Sequence, residues 1–333
     1  MTILVTGAAG FIGFHVSKIL CKDSRVIGLD NLNKYYDIKL KKDRLKILSK
    51  NKNFIFYKVD ILNYKKLIWI FKKYKVKYVI HLAAQAGVRH SLKKPRDYLY
   101  SNINGTFNIL ECCKVNEVKN LLIASTSSVY GLNKKFPYNE NDTADHPIQF
   151  YAATKRSTEI MSHSYSALYN LPVICIRFFT VYGPWGRPDM ALFKFTRNII
   201  KKKSIDIYNY GKHFRDFTYV EDLANIIKKL IKKKPSGIYK KKLIYNPGES
   251  SAPWEVLNIS SNKKISLMKF VKELEIKLKI ISTKNYLPLQ KGDMKTTFSS
   301  NYKLKRKIKF RNFTSYKIGI SRFVDWYQNY YKK

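Results

Sequence analysis

The sequence predicts an α/β fold, a doubly wound parallel sheet with a smaller C-terminal substrate-binding region. Two observations carry that prediction. Short apolar, β-branched runs alternate with amphipathic stretches through residues 2–177, and glycines or small polar residues follow the runs. Such alternation gives βα units whose strands lie parallel and whose carboxyl ends gather ligands. Beyond residue 177 the alternation breaks down, so residues 1–177 are assigned to a nucleotide-binding domain and 178–333 mainly to substrate binding.

In chain order, residues 2–6 form a β-branched run leading into Gly7-Ala8-Ala9-Gly10-Phe11-Ile12-Gly13 and an amphipathic stretch to about Cys21. This is the strand, glycine turn and helix of a Rossmann-type dinucleotide site. Gly7 permits the tight turn, Gly10 lets backbone amides approach a pyrophosphate, and Gly13 allows helix–strand packing, with Phe11 and Ile12 between them. Arg25–Leu29 is a second strand, ending in Asp30 and Asn31. A carboxylate at that distance accepts the ribose hydroxyls of NAD and disfavours the extra phosphate of NADP. Phe54–Val59 is a strand ending at Asp60-Ile61, read as an adenine contact, and 63–74 is helix. Tyr78–Leu82 is a buried strand opening onto Ala83-Ala84, residues small enough for the backbone to pass close to a cofactor; His81 before them reads as a packed core histidine. A long helix over about 97–116 carries Asn102, assigned to the cofactor, and Gly105. The strand Asn120–Ser125 then runs into Thr126, Ser127 and Ser128, hydroxyls at a strand end where such sheets hold ligands.

Tyr151 opens a helix to about Asn170, and Lys155 four residues on shares its face. A free phenol ionises near pH 10, and an ammonium beside it favours the phenolate. Lowering that pKa by about 3 units corresponds to roughly 4 kcal/mol and yields a base able to take a proton from a substrate hydroxyl. Pro172–Arg177 is the next strand. Residues 178–190 are too irregular for an element, and long ordered loops are usually functional. Helices are read over 191–202, 221–234, 266–280 and 316–330, a strand over 205–208 and a loop over 287–293; no internal repeat is visible.

Composition sets the outer bounds. At 333 residues with 45% hydrophobic content, the chain can bury a sizeable core. No apolar run reaches the roughly 18 residues needed to cross a bilayer, and residues 2–6 lack the basic flank of a signal peptide. The four cysteines have no metal-ligand spacing, so no metal site is expected and a reducing cytoplasm is the simplest location. The net charge of +41 is spread along the chain as lysine pairs and triplets. It reads as compositional drift on exposed positions, and nucleic-acid binding is not the preferred partner assignment.

These motifs together resemble a known family. TGAAGFIG, Asp30, the Ser/Thr cluster before VYG, and YAATK look like the extended short-chain dehydrogenase/reductases that modify nucleotide sugars. NLNKYYD (31–37), HLAAQAGVRHSL (81–92), RFFTVYGPWGRPDMALFKFT (177–196), IYNYG (207–211) and RDFTYVEDL (215–223) are similar to UDP-glucuronate 4-epimerases, including capsule-biosynthesis members. Two small departures occur: Ser260 stands where the family usually has glycine, and Ser299-Ser300 where an acid is common.

The resemblance implies a reaction and its residues. Tyr151 would deprotonate the sugar 4-hydroxyl while the C4 hydride passes to NAD; Thr126 would bond the same oxygen, and Lys155 would hold the nicotinamide ribose and lower the pKa of Tyr151. A 4-keto intermediate would then turn over and be reduced on its other face. Arg215 and Arg187 would pair with the diphosphate; Arg89, Ser127, Ser128 and Thr180 would surround the sugar and its carboxylate; and Asp293 would accept a uridine ribose hydroxyl. Leu82, Ala83 and Ala84 would line the cofactor. Met190, Leu192 and Phe193 would pack near the base or serve the core. Related dehydratases and decarboxylases carry Glu two residues after the catalytic Thr, where this chain has Ser128, which favours epimerisation. A neutral-sugar 4-epimerase is the alternative enzyme, and a basic Rossmann-type nucleic-acid binder the non-enzyme alternative. The family also implies a homodimer through the helices at 97–116 and 151–170.

Overall fold

A computed structural model describes residues 1–235, 246–310 and 312–331. Its first half unfolds as βα units: β1 (Thr2–Thr6), α1 (Phe11–Leu20), β2 (Arg25–Asp30), α2 (Ile38–Leu48), β3 (Phe54–Lys58), α3 (Tyr64–Lys73) and β4 (Tyr78–His81). There follow α4 (Val88–Lys93), α5 (Pro95–Tyr98), a π-helical turn (Leu99–Asn104), α6 (Gly105–Val115), β5 (Asn120–Thr126), α7 (Phe150–Tyr169) and β6 (Val173–Phe178). Among later elements are β7 (Thr180–Tyr182), α8 (Ala191–Ile200), β8 (Ile205–Tyr208), β9 (Phe214–Arg215), β10 (Phe217–Tyr219), α9 (Val220–Leu230) and β11 (Trp254–Ile259). The chain closes with α10 (Leu267–Leu278), α11 (Tyr302–Ile308) and α12 (Tyr316–Tyr331).

Seven strands form one sheet in the order β11-β6-β5-β4-β1-β2-β3, all paired parallel. The order reverses between β1 and β4, the crevice where such sheets bind ligands. Successive side chains of a strand face opposite sides. Ile3 and Val5 therefore join Phe14, Val26 and Leu223 in one core layer, while Leu4 joins Ile27, Leu67 and Ile109 in the other. A third cluster, with Phe193, Phe270, Leu274 and Phe323, builds the C-terminal region.

Four features differ from the sequence reading. The helix expected over 97–116 is interrupted by the π-helical turn, and residues 178–190 contain β7, which pairs in parallel with β10. Helix α2 was not anticipated because Lys41 and Arg44, both buried, interrupt its apolar stripe of Leu40, Leu45 and Leu48. Strand β11 was hidden by its buried polar residues: Glu255 pairs with Lys307, and Asn258 accepts from the Tyr130 hydroxyl at 2.8 Å. Since β11 belongs to the main sheet and α9 packs against α1, the nucleotide-binding layer recruits chain beyond residue 177.

Trp254 starts that recruited strand. It is 4% exposed, its indole N–H donates to Ser162 Oγ on α7 at 3.1 Å, and its ring meets His163 edge-on. Replacing such a side chain leaves a cavity and takes one of three partners from the Ser162 hydroxyl, so Trp254→Ala should lower stability by about 3–5 kcal/mol in chemical denaturation. A loss below about 1 kcal/mol would show that β11 is not an integral strand.

Candidate active site

The site is a cavity of about 460 Å³ at the carboxyl ends of β1, β2, β4, β5 and β6. Gly7 sits at φ +71°, and a Cβ there would lie 2.9 Å from the Ala83 amide. A Cβ on Gly13 would stand 2.0 Å from the Gly7 carbonyl oxygen, so only glycine lets α1 approach the turn. Gly10 caps α1 without a side chain, leaving the first amides of the helix facing the cavity. Across the crevice, Thr6 Oγ1 accepts from the amides of Leu82 and Ala83, both at 3.1 Å, and also bonds His81 Nδ1 at 2.8 Å. His81 bonds Thr106 through its other nitrogen, and burial holds its pKa down at about 3. It is a neutral core brace.

Asp30 ends β2 in the cavity. Its carboxylate accepts from the amides of Leu32 at 2.8 Å and Ala9 at 3.2 Å, and burial raises its pKa against the pull of Lys41. Asn31 donates to Asp60 at 2.8 Å, tying the ends of β2 and β3 beside Ile61. These residues form a cradle fitted to a dinucleotide: a dehydrated carboxylate placed beyond a glycine turn whose close approaches exclude any Cβ. Asn102 is the exception. It is fully buried behind the cavity, where its amide accepts from Gln85 N at 2.8 Å and donates to Gln85 O and Thr154 Oγ1. It braces the Ala83–Gly87 loop from the π-helical turn and does not itself line the cavity.

The reactive end combines β5, β6 and the first turn of α7. Thr126, Tyr151 and Lys155 all line the cavity, with Ser127 and Ser128 next to Thr126. Thr126 Oγ1 accepts from Ser128 N at 3.2 Å and donates to Ser128 Oγ at 3.3 Å. The Tyr151 ring meets Tyr98 edge-on at 6.0 Å, and Tyr98 donates to the carbonyls of Ala86 and Gly87. Burial raises the pKa of the Tyr151 phenol, while a hydrogen bond with Thr126 and the charge of Arg187 pull it back. Burial lowers Lys155 to about 8, opposed by Cys175 and Glu159. Burial outweighs the lowering by Thr126 and Arg187, so the phenol of the protein alone is not acidified, contrary to the expectation from the Lys155 spacing.

On the substrate side, Thr180, Arg187, Arg215 and Asp293 line the cavity. Arg215 donates to the carbonyls of Phe214, Lys295 and Met294, and burial lowers its pKa to about 10 despite Asp293 and Tyr138. Its guanidinium is thus held by neutral oxygens, leaving its charge to act on the cavity. Arg187 instead grips Asp189 through two bonds, 3.0 and 2.6 Å, and Tyr35 donates to the same carboxylate at 3.1 Å. Arg89 lies outside the main cavity, in an adjoining space of about 180 Å³ with Met190, Leu192 and Phe193. There it pairs with Asp293 at 3.0 Å, so two residues assigned to different parts of a substrate meet each other. Ser299 donates to Ser260 at 2.9 Å and Ser300 accepts from Tyr302 N at the start of α11. The two departures from the family pattern thus pack together, away from the cavity.

Sequence reasoning missed Tyr35, Lys41, Gln149 and Arg44. Tyr35 and Lys41 line the cavity from the segment after β2, and Gln149 lines it from the N-cap of α7 while donating to the Gly292 carbonyl. Arg44 donates to Ala9 O and Tyr36 OH at 2.8 Å and to Trp185 O at 2.5 Å. Only Tyr35 had a signal, its place within NLNKYYD.

Comparison with known proteins places this geometry. Residues 3–246 match the model of the NAD dependent epimerase/dehydratase family. Protein CapI of Staphylococcus aureus is 50% identical over the whole of both chains. A probable UDP-glucuronate 4-epimerase of Rhizobium meliloti is 42% identical, covering 100% of this chain and 98% of its own. The crystal structure of UDP-glucuronic acid 4-epimerase from Bacillus cereus, in complex with UDP-glucuronic acid and NAD, superposes with a TM-score of 0.88 at 32% identity, covering 99% of this chain and 100% of that one. With a family match over most of its length and a cavity built as these motifs require, the chain belongs to the NAD dependent epimerase/dehydratase family.

Proposed function

We propose that this protein interconverts UDP-glucuronate and UDP-galacturonate by NAD-dependent epimerisation at C4. The observation that carries this reading is the convergence of Thr126, Tyr151 and Lys155 on the dinucleotide cradle, with a neutral Ser128 beside Thr126. The chemistry that bound NAD supplies is reversible acceptance of the C4 hydride. Tyr151 takes the proton of the 4-hydroxyl, and Thr126, bonded to the phenol, orients the same oxygen. Lys155, buried one turn on, holds the nicotinamide ribose and supplies positive charge to the ionised phenol. Arg215 faces the diphosphate. The Arg89–Asp293 pair borders the uridine, and Arg187 stands at the cleft with its charge shared by Asp189.

Retaining the carboxylate is the second demand on the site. Oxidation at C4 of a glucuronate places a carbonyl β to the carboxylate, and such acids lose carbon dioxide when the breaking bond aligns with the carbonyl π system. Ser127, Ser128 and Thr180 are short hydroxyl donors suited to holding the carboxylate out of that alignment. A neutral Ser128 does this without the repulsion a glutamate would impose. The protein acts in the cytoplasm as a homodimer that feeds polysaccharide synthesis. Among the described residues no helix is long and apolar enough to cross a membrane. Phe107 on α6 and Ile160, Leu168 and Tyr169 on α7 are exposed on two adjacent helices, an apolar face suited to a second copy.

Purified protein incubated with a panel of UDP-sugars and followed by NMR should convert UDP-glucuronate to UDP-galacturonate with little UDP-pentose. Predominant pentose would identify a decarboxylase, and turnover confined to neutral sugars would move the assignment to a neutral-hexose epimerase. Tyr151→Phe should lower turnover by about 10²–10⁴-fold while keeping NAD binding by calorimetry. Near-wild-type turnover in that variant would remove Tyr151 from the chemistry.

A further inference from the structure

Behind the reactive hydroxyls lies a fully buried acid. Glu159, on α7 one turn beyond Lys155, has 0% side-chain exposure, as does its partner Arg177 on β6. One carboxylate oxygen accepts from Ser125 Oγ at 2.6 Å and Arg177 Nε at 2.9 Å; the other accepts from Arg177 Nη2 at 2.8 Å and Arg156 Nη1 at 3.0 Å. Ser125 and Arg177 are register partners on adjacent strands, one rung before Thr126 and Phe178. A single carboxylate therefore grips β5 and β6 together at the last rung before the site. Arg177 in turn lies 4.7 Å over the Tyr130 ring, whose hydroxyl reaches Asn258 on β11.

We propose that Glu159 is a positioning residue for the C4 chemistry, fixing the Ser125–Thr126 end of β5 against α7 and sustaining the charge of Lys155. This deepens the epimerase reading and rests on it. Two features separate the role from plain core bracing. The carboxylate holds the residue directly before Thr126, so loosening it moves the hydroxyl that must meet the substrate oxygen; and residues four apart on a helix share a face, which sets Glu159 beside Lys155. The groups facing Glu159 are Arg156 and Lys155 from α7, Arg177 and Cys175 from β6, and Ser125 from β5. Burial opposes its charge, yet Arg177 and Arg156 hold its carboxyl below the usual range, so it stays ionised where activity is measured. Removing that negative charge takes away one of the two groups that hold the charge of Lys155 against burial. The ammonium then gives up its proton at lower pH, and the alkaline fall of turnover moves down.

The test compares Glu159→Gln, Glu159→Asp and Ser125→Ala with wild type across pH 6–10, using UDP-glucuronate and excess NAD. Glu159→Gln should lower kcat by about tenfold or more with KM within about threefold, and shift the alkaline limb down by about one pH unit. Glu159→Asp should restore the limb but not the full rate. Ser125→Ala keeps both charges, so it should lower kcat several-fold without moving the limb, and it tests the anchoring even if Glu159→Gln fails to fold. An unmoved limb in a folded Glu159→Gln protein, or wild-type kcat in Ser125→Ala, would overturn the proposal. An inactive wild-type protein would instead overturn the epimerase reading beneath it.

Discussion

A buried guanidinium holds the two sides of the cleft together. Arg44 is 0% exposed, and its hydrogen bonds run to Ala9 O in the glycine turn and to Trp185 O in the loop that presents Arg187. A buried charge is costly unless its donors find partners, and here backbone carbonyls from both sides and the Tyr36 hydroxyl take the terminal N–H groups, while Nε has no hydrogen bond among the described residues. His15 repeats the connection: its Nε2–H donates to Pro184 O at 2.9 Å, and burial lowers its pKa to about 3, which keeps the ring neutral. Between them the chain turns through Trp185 at φ +61°, a left-handed conformation that a bulky residue adopts only when its surroundings fix it. The substrate-side loop is thereby referenced to the cofactor turn itself, and the reacting atoms inherit one frame.

Charge in the cleft follows a consistent logic. Lys41, Lys155, Arg187 and Arg215 all line the main cavity, against Asp30, Asp60 and Asp293. Burial works against Lys41, Lys155 and Arg215, lowering each, and against the ionised form of Tyr151. A site that holds its cations dehydrated interacts strongly with diphosphates, because the desolvation has been met in folding. The same dehydration explains why Tyr151 does not become a base through Lys155 alone. Thr126 and Arg187 are the groups that oppose the effect of burial on its phenol. Most lysines among the described residues lie on exposed faces rather than in the cavity.

Much of this was legible in the sequence, for physical reasons. The glycine turn, Asp30 and the Tyr151–Lys155 spacing are local: each depends on backbone geometry or helical period, which neighbouring residues determine. The β1-to-β6 alternation was readable because those strands are apolar and continuous. What was not legible rests on contacts distant in sequence. Strand β11 carries Glu255 and Asn258, which look like surface residues until Lys307 and Tyr130 meet them. The buried roles of Arg44 and Glu159 depend on partners up to about 140 residues away, visible only once the fold brings them together. Asn102, expected at the cofactor, lies one layer behind the cavity on a π-helical turn that the reading of 97–116 as one helix did not contain.

The central claim is that hydrogen leaves C4 and returns to the same carbon without reaching solvent. UDP-glucuronate deuterated at C4, converted by the enzyme in ordinary water, tests it directly by NMR and mass spectrometry of the isolated UDP-galacturonate. The account predicts that deuterium remains at C4 in the product, with no solvent hydrogen at that position. Product carrying hydrogen from water at C4 would contradict it, pointing to proton exchange rather than hydride transfer at the site that Thr126, Tyr151 and Lys155 define.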